Sequence, residues 1–288
     1  MWHENITING PYNFDEVLSR QSIDPLNVID QEKRCVKVPL TIDGKPVVVE
    51  VTATGTTEKP SFKISGQNLE QKDQAIKIVK GIFQWNLPLH DVQLHFESTS
   101  LRDLFRKHYG TPLVLDFDPY GCLLKCIIHQ QLNMAFAHTL SKRFVENFGF
   151  ALDGVWFYPR PEVVASLEVE QLRELQFSGR KAEYVIGIGK AVQEGKLDFE
   201  KITRQSDEEI LAELIKLRGV GPWTVQNFLM FGLGRPNLFP TADIGIQNAL
   251  KNQFNLEKKP TIEEMESFKQ GWDPYLSYAS LYLWRSIE

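Results

Sequence analysis

Apolar positions in the first third of the chain alternate with polar ones, and from residue 101 onward they recur every three to four residues. A period of two lines one face of a strand, and a period near 3.6 lines one face of a helix. Residues 34–42 (RCVKVPLTI) and 45–55 (KPVVVEVTATG) flank Asp43-Gly44, a strong signal for a two-residue hairpin turn. Residues 61–66 predict a further strand ending at Gly66. Leu69, Ile76, Val79 and Phe83 then fall at helical spacing, and residues 86–100 follow as a connector.

Residues 118–149 predict two helical runs around residues 130–133, closing on Gly149. Residues 160–195 give three more short helices. Ser206 and Glu209 form a capping-box pattern at the head of another, and residues 259–286 supply the closing helices. No internal repeat or low-complexity tract is present. The expected fold class is α+β, a small α/β domain followed by an all-helical domain of roughly two hundred residues, since the two hydrophobic periods segregate along the chain.

Composition narrows the class. The 288 residues are 42% hydrophobic and 24% charged, which suits a globular chain with a filled core. No apolar run approaches the ~20 residues of a membrane span, so no membrane partner is expected. The first residues lack the basic and apolar regions of a signal peptide. The cysteines, Cys35, Cys122 and Cys126, fit a reducing compartment better than a disulfide framework. The expected localisation is therefore cytoplasmic. Net charge is −5, which works against non-specific binding to phosphate, but residues 101–149 are locally positive, with six basic and four acidic side chains. A nucleic-acid partner would have to be held locally, with backbone groups as much as with lysines.

The stretch LRGVGPWTVQNF, residues 217–228, puts Gly219 and Gly221 between two apolar periodic runs. Proline suits the first helical turn, so a helix is expected to reverse into another that starts at Pro222. Glycines allow unusual backbone angles and let a partner approach the main chain. The free N–H groups at the head of the second helix would then form an anion site suited to phosphate. A plain helix–helix turn has the same glycines. Further on, Asp243 stands among small and apolar residues at the head of IGIQNALKNQF. Taken alone it reads first as an ordinary N-cap, and with the hairpin and its spacing as a functional carboxylate.

Taken together, these motifs resemble the helix-hairpin-helix DNA glycosylases, in the 3-methyladenine DNA glycosylase II branch. The resemblance rests on LRGVGPWT, on the loop GLGRPNLFP before Asp243, and on the segments FDPYGCLLKCIIHQQLNMAFAHTLSKRFVENFG, LRELQFSGRKAEYVIGIGKAV and WDPYLSYASLYLW. It covers residues 101–288 with specific motifs and 1–85 more weakly. It implies a domain at 1–85 resembling half of a TATA-binding protein, and a helical glycosylase domain at 86–288.

The implied activity is base excision: hydrolysis of the N-glycosidic bond of alkylated purines such as 3-methyladenine and 7-methylguanine. The expected partner is double-stranded DNA carrying a damaged base, bound by a monomer at the nucleoid. Asp243 takes the catalytic place. Trp223 and Trp284 are expected to face a flipped base, with Tyr278 beside them, while Trp272 and Tyr282 are read as core. Asn227 stands where a close relative has a pocket tyrosine, and Arg20 near where the N-terminal domain can add an aromatic. Gln131, with Leu132 in reserve, is the expected wedge. Gly219, Val220, Gly221 and Thr224 are expected to meet the DNA. No cofactor is implied beyond a monovalent cation at the hairpin, held by the main-chain carbonyls of Ile215, Leu217 and Val220.

Cys122, Cys126 and His129 share one helical face, but the leucines and isoleucines around them predict a core stripe rather than a zinc site. No cysteine lies beyond Cys126, so the four-cysteine iron–sulfur loop of some relatives is not expected. Two other functions stay open. A helix-hairpin-helix unit can serve purely as a DNA clamp, and 8-oxoguanine-type glycosylase/lyases share the fold. The lyases carry a lysine two residues after the second hairpin glycine, and here that position is Trp223.

Overall fold

A computed structural model describes residues 1–288. A five-stranded antiparallel sheet is built from β1 (Trp2–Thr7), β2 (Val28–Asp30), β3 (Cys35–Ile42), β4 (Lys45–Ala53) and β5 (Ser61–Gly66), in the order β1-β5-β4-β3-β2. α1 (Phe14–Gln21) connects β1 to β2, and α2 (Lys72–Ile82) follows β5. Asp43 and Gly44 both have positive φ, 50° and 71°, the turn that matches strand twist in a tight hairpin. The predicted strands 34–42, 45–55 and 61–66 are β3, β4 and β5. β1 and β2 are additions. The expected connector at 86–100 contains a helix, α3 (Leu89–Phe96), which buries Leu89, Val92 and Phe96.

The rest is helical: α4 (Arg102–Lys107), α5 (Pro119–His129), α6 (Met134–Phe148), α7 (Pro161–Ala165), α8 (Val169–Glu174), α9 (Gly179–Gln193), α10 (Phe199–Ile202), α11 (Asp207–Leu214), α12 (Pro222–Phe231), α13 (Ile244–Gln253), α14 (Ile262–Phe268) and α15 (Leu276–Arg285). One small hairpin interrupts it, β6 (Phe150–Leu152) with β7 (Val155–Phe157). The expected all-helical domain thus carries a two-stranded insert.

Two hydrophobic cores organise the chain, and they do not divide at residue 85. One joins the sheet to α2, α3 and α4 and, from the far end of the sequence, to α13, α14 and α15 through Ile246, Leu250, Met265, Trp272, Tyr278 and Tyr282. The other is formed between Tyr120 and Leu229, with Leu26 added from the first layer. The chain leaves the first core near residue 113 and returns to it at Met230. α12 spans that crossing, so the segment between α12 and α13 lies where the two cores meet.

The stripe Cys122, Cys126 and His129 runs along α5. Both cysteines are buried in the second core, and His129 Nε2 lies 2.9 Å from Ser141 Oγ. Burial, helped by the neighbouring Lys125 charge, pushes the His129 imidazole down to about 3. The folded chain therefore refuses a proton that the unfolded chain accepts below about pH 6.5. Stability from this group is present above that pH and should fall by up to ~1.4 kcal/mol per unit as pH drops from 6.5 towards 3. Urea unfolding at pH 7.5 and 5.5 checks this: His129→Gln should lose less stability on acidification than the wild type. Equal losses would refute it.

Candidate active site

The hairpin begins with α11. Ser206 Oγ accepts from Glu209 N, and Glu209 Oε2 accepts from Ser206 N, so the predicted capping box is present. The turn reverses at Gly219, whose φ is +89° and whose missing Cβ would sit inside the Tyr184 ring. Val220 is buried and pins the turn to the second core. Gly221 is the N-cap of α12, at φ −112° and ψ 174°. That conformation is open to any residue, and a Cβ there would meet nothing within 4 Å. Only Gly219 is required by the backbone, which narrows the expectation for the pair. Pro222 opens α12, no side chain caps it, and the N–H groups of Trp223 and Thr224 have no protein acceptor. Those donors, with the helix dipole behind them, form a ready anion site.

Thr224 does not face that site. It is 1% exposed, and its hydroxyl accepts from Gln130 Nε2 at 2.7 Å; the same amide nitrogen donates to Gly219 O at 2.9 Å. Gln130 therefore ties the loop between α5 and α6 to the hairpin. In that loop Gln131 is exposed with φ +57°, whereas Leu132 packs against the second core. Asn133 caps α6 by accepting from Phe136 N at 3.0 Å. Among the cation ligands expected at the hairpin, the carbonyls of Ile215 and Val220 accept no backbone hydrogen bond, while that of Leu217 accepts from Val220 N.

Asp243 is the N-cap of α13: its Oδ1 accepts from Ile246 N at 2.9 Å. The capping role and a catalytic place are compatible, because the carboxylate has further contacts. Trp284 Nε1 donates to the same Oδ1 at 2.9 Å, and Trp223 Nε1 donates to Oδ2 at 2.9 Å. Trp223 comes from α12 and Trp284 from α15, so elements on both sides of the junction grip one half-buried carboxylate. The expectation for the two tryptophans was pocket walls. The structure adds that each also donates its indole N–H to Asp243. Gly245 makes this possible: a Cβ there would meet Asp243 Oδ1 at 2.9 Å and Trp284 Nε1 at 3.0 Å.

The aromatic surface continues from Trp284 to Phe231, with ring centroids 5.8 Å apart, and the Arg20 guanidinium lies over Phe231 at 5.4 Å. Arg20 also pairs with Glu288 at 2.8 Å, and Arg285 joins Glu16 and Glu288. Thus α1, from the sheet layer, reaches the edge of the site. Asn227 is buried, its amide donating to Trp223 O. Tyr278 does not line the surface. It is 1% exposed and belongs to the first core with Trp272 and Tyr282, and burial pushes its phenol up. Trp272 and Tyr282 are core residues, and Tyr282 donates to Thr111 O at 3.1 Å. A separate cleft of about 720 Å³ lies between β3, the first turns of α5 and the β6–β7 hairpin, and none of the residues around Asp243 lines it.

The C-terminal end of α5 and the heads of α12 and α13 are therefore linked in one chain of hydrogen bonds, Gln130 to Thr224 and Trp223 to Asp243. The uncapped head of α12 thus presents the positive end of a helix dipole in a protein of net charge −5. It offers to an anion what the lysine count does not.

Known proteins resemble this chain in sequence and in fold. Residues 124–274 match the model of the HhH-GPD superfamily base excision DNA repair protein. The chain is 53% identical over the full length of both chains to a putative DNA-3-methyladenine glycosylase, YfjP, of Bacillus subtilis. It is 34% identical to a DNA-3-methyladenine glycosylase of the same organism, over 73% of this chain and 72% of that one. The solved 3-methyladenine DNA glycosylase of Archaeoglobus fulgidus superposes with a TM-score of 0.85 at 22% identity, covering 99% of this chain and 98% of the other. With a family model covering more than half its length and a full-length relative above half identity, the chain belongs to the HhH-GPD superfamily of base excision DNA repair proteins.

Proposed function

We propose that the protein is a monofunctional DNA glycosylase that hydrolyses the N-glycosidic bond of alkylated purines in duplex DNA. One observation carries the reading: Asp243 held by two indole N–H groups and a backbone N–H, beside an uncapped hairpin helix. Relatives that align over most or all of the chain bear the name 3-methyladenine glycosylase, which supports it.

The free N–H groups at the head of α12 take a backbone phosphate, and this contact carries no sequence information. A monovalent cation held by the carbonyls of Ile215, Leu217 and Val220 would add positive charge at the same phosphate. The target bond is out of reach inside a duplex, so the nucleotide swings out. Gln131, exposed at the tip of its loop, fills the vacated stack, while Leu132 stays anchored in the core. The base then stacks against Trp223 and Trp284. A purine alkylated at N3 or N7 carries positive charge, which the ring faces attract. It leaves as a neutral base and takes the bonding electrons with it. Positive charge passes to the sugar, where Asp243 stabilises it. Water adds to C1′ and loses a proton, and an intact abasic site remains.

Strand cleavage would need an amine to attack C1′ and form an imine. Trp223 stands at the position where bifunctional relatives place a lysine, and its N–H is engaged with Asp243. Incubation with methylated duplex DNA should release 3-methyladenine and 7-methylguanine, and strand breaks should appear only after alkali. Borohydride added during turnover should trap no protein–DNA adduct. An adduct matching turnover would establish the 8-oxoguanine-type lyase reading instead. Binding without release of any base would leave a non-catalytic clamp.

A further inference from the structure

The loop between α5 and α6 carries Gln131, the side chain that the proposed function places in the duplex. Two side chains from distant segments hold this loop. Gln130 spends both amide hydrogens on the hairpin, at Gly219 O and Thr224 Oγ1. Lys181, in the first turn of α9, donates from Nζ to Ile128 O at 2.5 Å and to Gln130 O at 2.8 Å. Gln130 is thus fixed at its carbonyl by α9 and at its side chain by the hairpin, immediately before Gln131. On the other side, Leu132 sits against the second core and Asn133 caps α6. Gln131 itself holds φ +57°, a conformation uncommon outside glycine, and its side chain is exposed.

These contacts fix the distance between two parts that must act on one nucleotide. The hairpin meets a phosphate, and Gln131, the residue next to Gln130, enters the stack. Opening a base step costs free energy, and a loosely held loop would have to be ordered at the same moment. A loop already tied to the hairpin is set in depth and direction when the phosphate docks.

We propose that Gln130 and Lys181 are positioning residues that lock the insertion loop to the phosphate-gripping hairpin, so that phosphate binding sets the entry of Gln131. The proposal rests on the base-flipping reading above. The Gly219 carbonyl makes Gln130 irreplaceable by a pure acceptor: Gln130→Glu keeps the size and shape, and the Thr224 hydroxyl can turn to donate to it, but Gly219 O loses its donor and faces a carboxylate.

The test compares Gln130→Glu and Lys181→Met with the wild type. A 2-aminopurine beside the lesion reports flipping by fluorescence. Single-turnover excision is measured on a paired lesion and on the same lesion in an unpaired bubble. Lys181→Met should bind undamaged duplex as the wild type does, and Gln130→Glu, which brings a negative charge to the hairpin, should bind more weakly by the same factor with and without a lesion. Their flipping signal and duplex excision should fall about 10²-fold, the scale of a misplaced group, while bubble excision is retained. Equal losses on both substrates would show a general structural role and overturn the proposal, as would unchanged duplex excision. If Gln130→Glu melts early, Lys181→Met acts on the same loop from α9 and must show the same split. A wild type that flips without releasing base sinks the glycosylase reading and leaves the loop assignment standing. A wild type that binds without any flipping signal overturns the loop assignment itself.

Discussion

Asp243→Asn should abolish most base release while leaving the fold and duplex binding intact. Asparagine is as good an N-cap as aspartate, so Oδ1 can still accept from Ile246 N and α13 keeps its start. The hairpin and the insertion loop are untouched, so affinity for duplex DNA should not change. What disappears is the negative charge beside the sugar. An amide cannot offset the positive charge that develops as the base departs, and it replaces one acceptor oxygen with an N–H₂ group. One of the two indole donors, Trp223 or Trp284, is then left facing a donor. Loss of one preorganised electrostatic contact typically lowers turnover by about 10²–10³-fold, and here the charge itself is lost, so the fall should reach or exceed that range. Trp223→Phe and Trp284→Phe, which keep a ring face but remove one N–H, should lie between the wild type and Asp243→Asn. Released base, duplex affinity and thermal midpoint should be measured on one preparation. Excision by Asp243→Asn near the wild-type rate would remove Asp243 from the catalytic place.

The parts of this site that were legible in the sequence are those with local causes. The Ser206–Glu209 capping box, the positive φ at Gly219 and the N-cap at Asp243 depend on residues within a few positions of each other. The parts that were not legible depend on contacts across the chain. Thr224 was expected at the DNA because it follows the hairpin, but its partner Gln130 lies 94 residues away. Gly245 looked unremarkable inside IGIQ, since its reason is the Trp284 indole 39 positions later in a different helix. Tyr278 shares the closing helix with Trp284, and which of them faces the site follows from how α15 lies on the sheet core. The same holds for the domains: no composition change marks residue 113 or 230, where the chain leaves and rejoins the first core. One signal was local and still went unread. Asp153 and Gly154 repeat the Asp-Gly turn of residues 43–44, with φ 51° and 77°, and they join β6 to β7. Helical runs on both sides hid it. β1 is harder, because its anchor is Trp2 packed on the bare backbone of Gly66, sixty-four residues away.

The two hairpin glycines should behave differently on substitution, and the difference separates fold from function. Gly219→Ala places a methyl group into the Tyr184 ring and forces alanine to φ +89°. The backbone conformation alone costs roughly 1–2 kcal/mol, and moving the ring adds to that. The turn must shift, the Gln130 contact to Gly219 O goes with it, and both stability and DNA binding should fall. Gly221→Val is the contrasting case. Its φ and ψ lie in the extended region preferred before proline. The space around it is open, so the thermal midpoint should hold. A valine there nonetheless stands in front of the free N–H groups of Trp223 and Thr224, where a phosphate has to come close. Affinity should therefore drop by about tenfold for damaged and undamaged duplex alike, because a phosphate contact positions without specifying. Each lost contact of this kind also flattens the dependence of affinity on salt. Titrations at two ionic strengths, with and without a lesion, alongside melting curves, read all of this. A stable Gly221→Val protein that binds duplex as tightly as the wild type would mean that the head of α12 does not grip the DNA backbone.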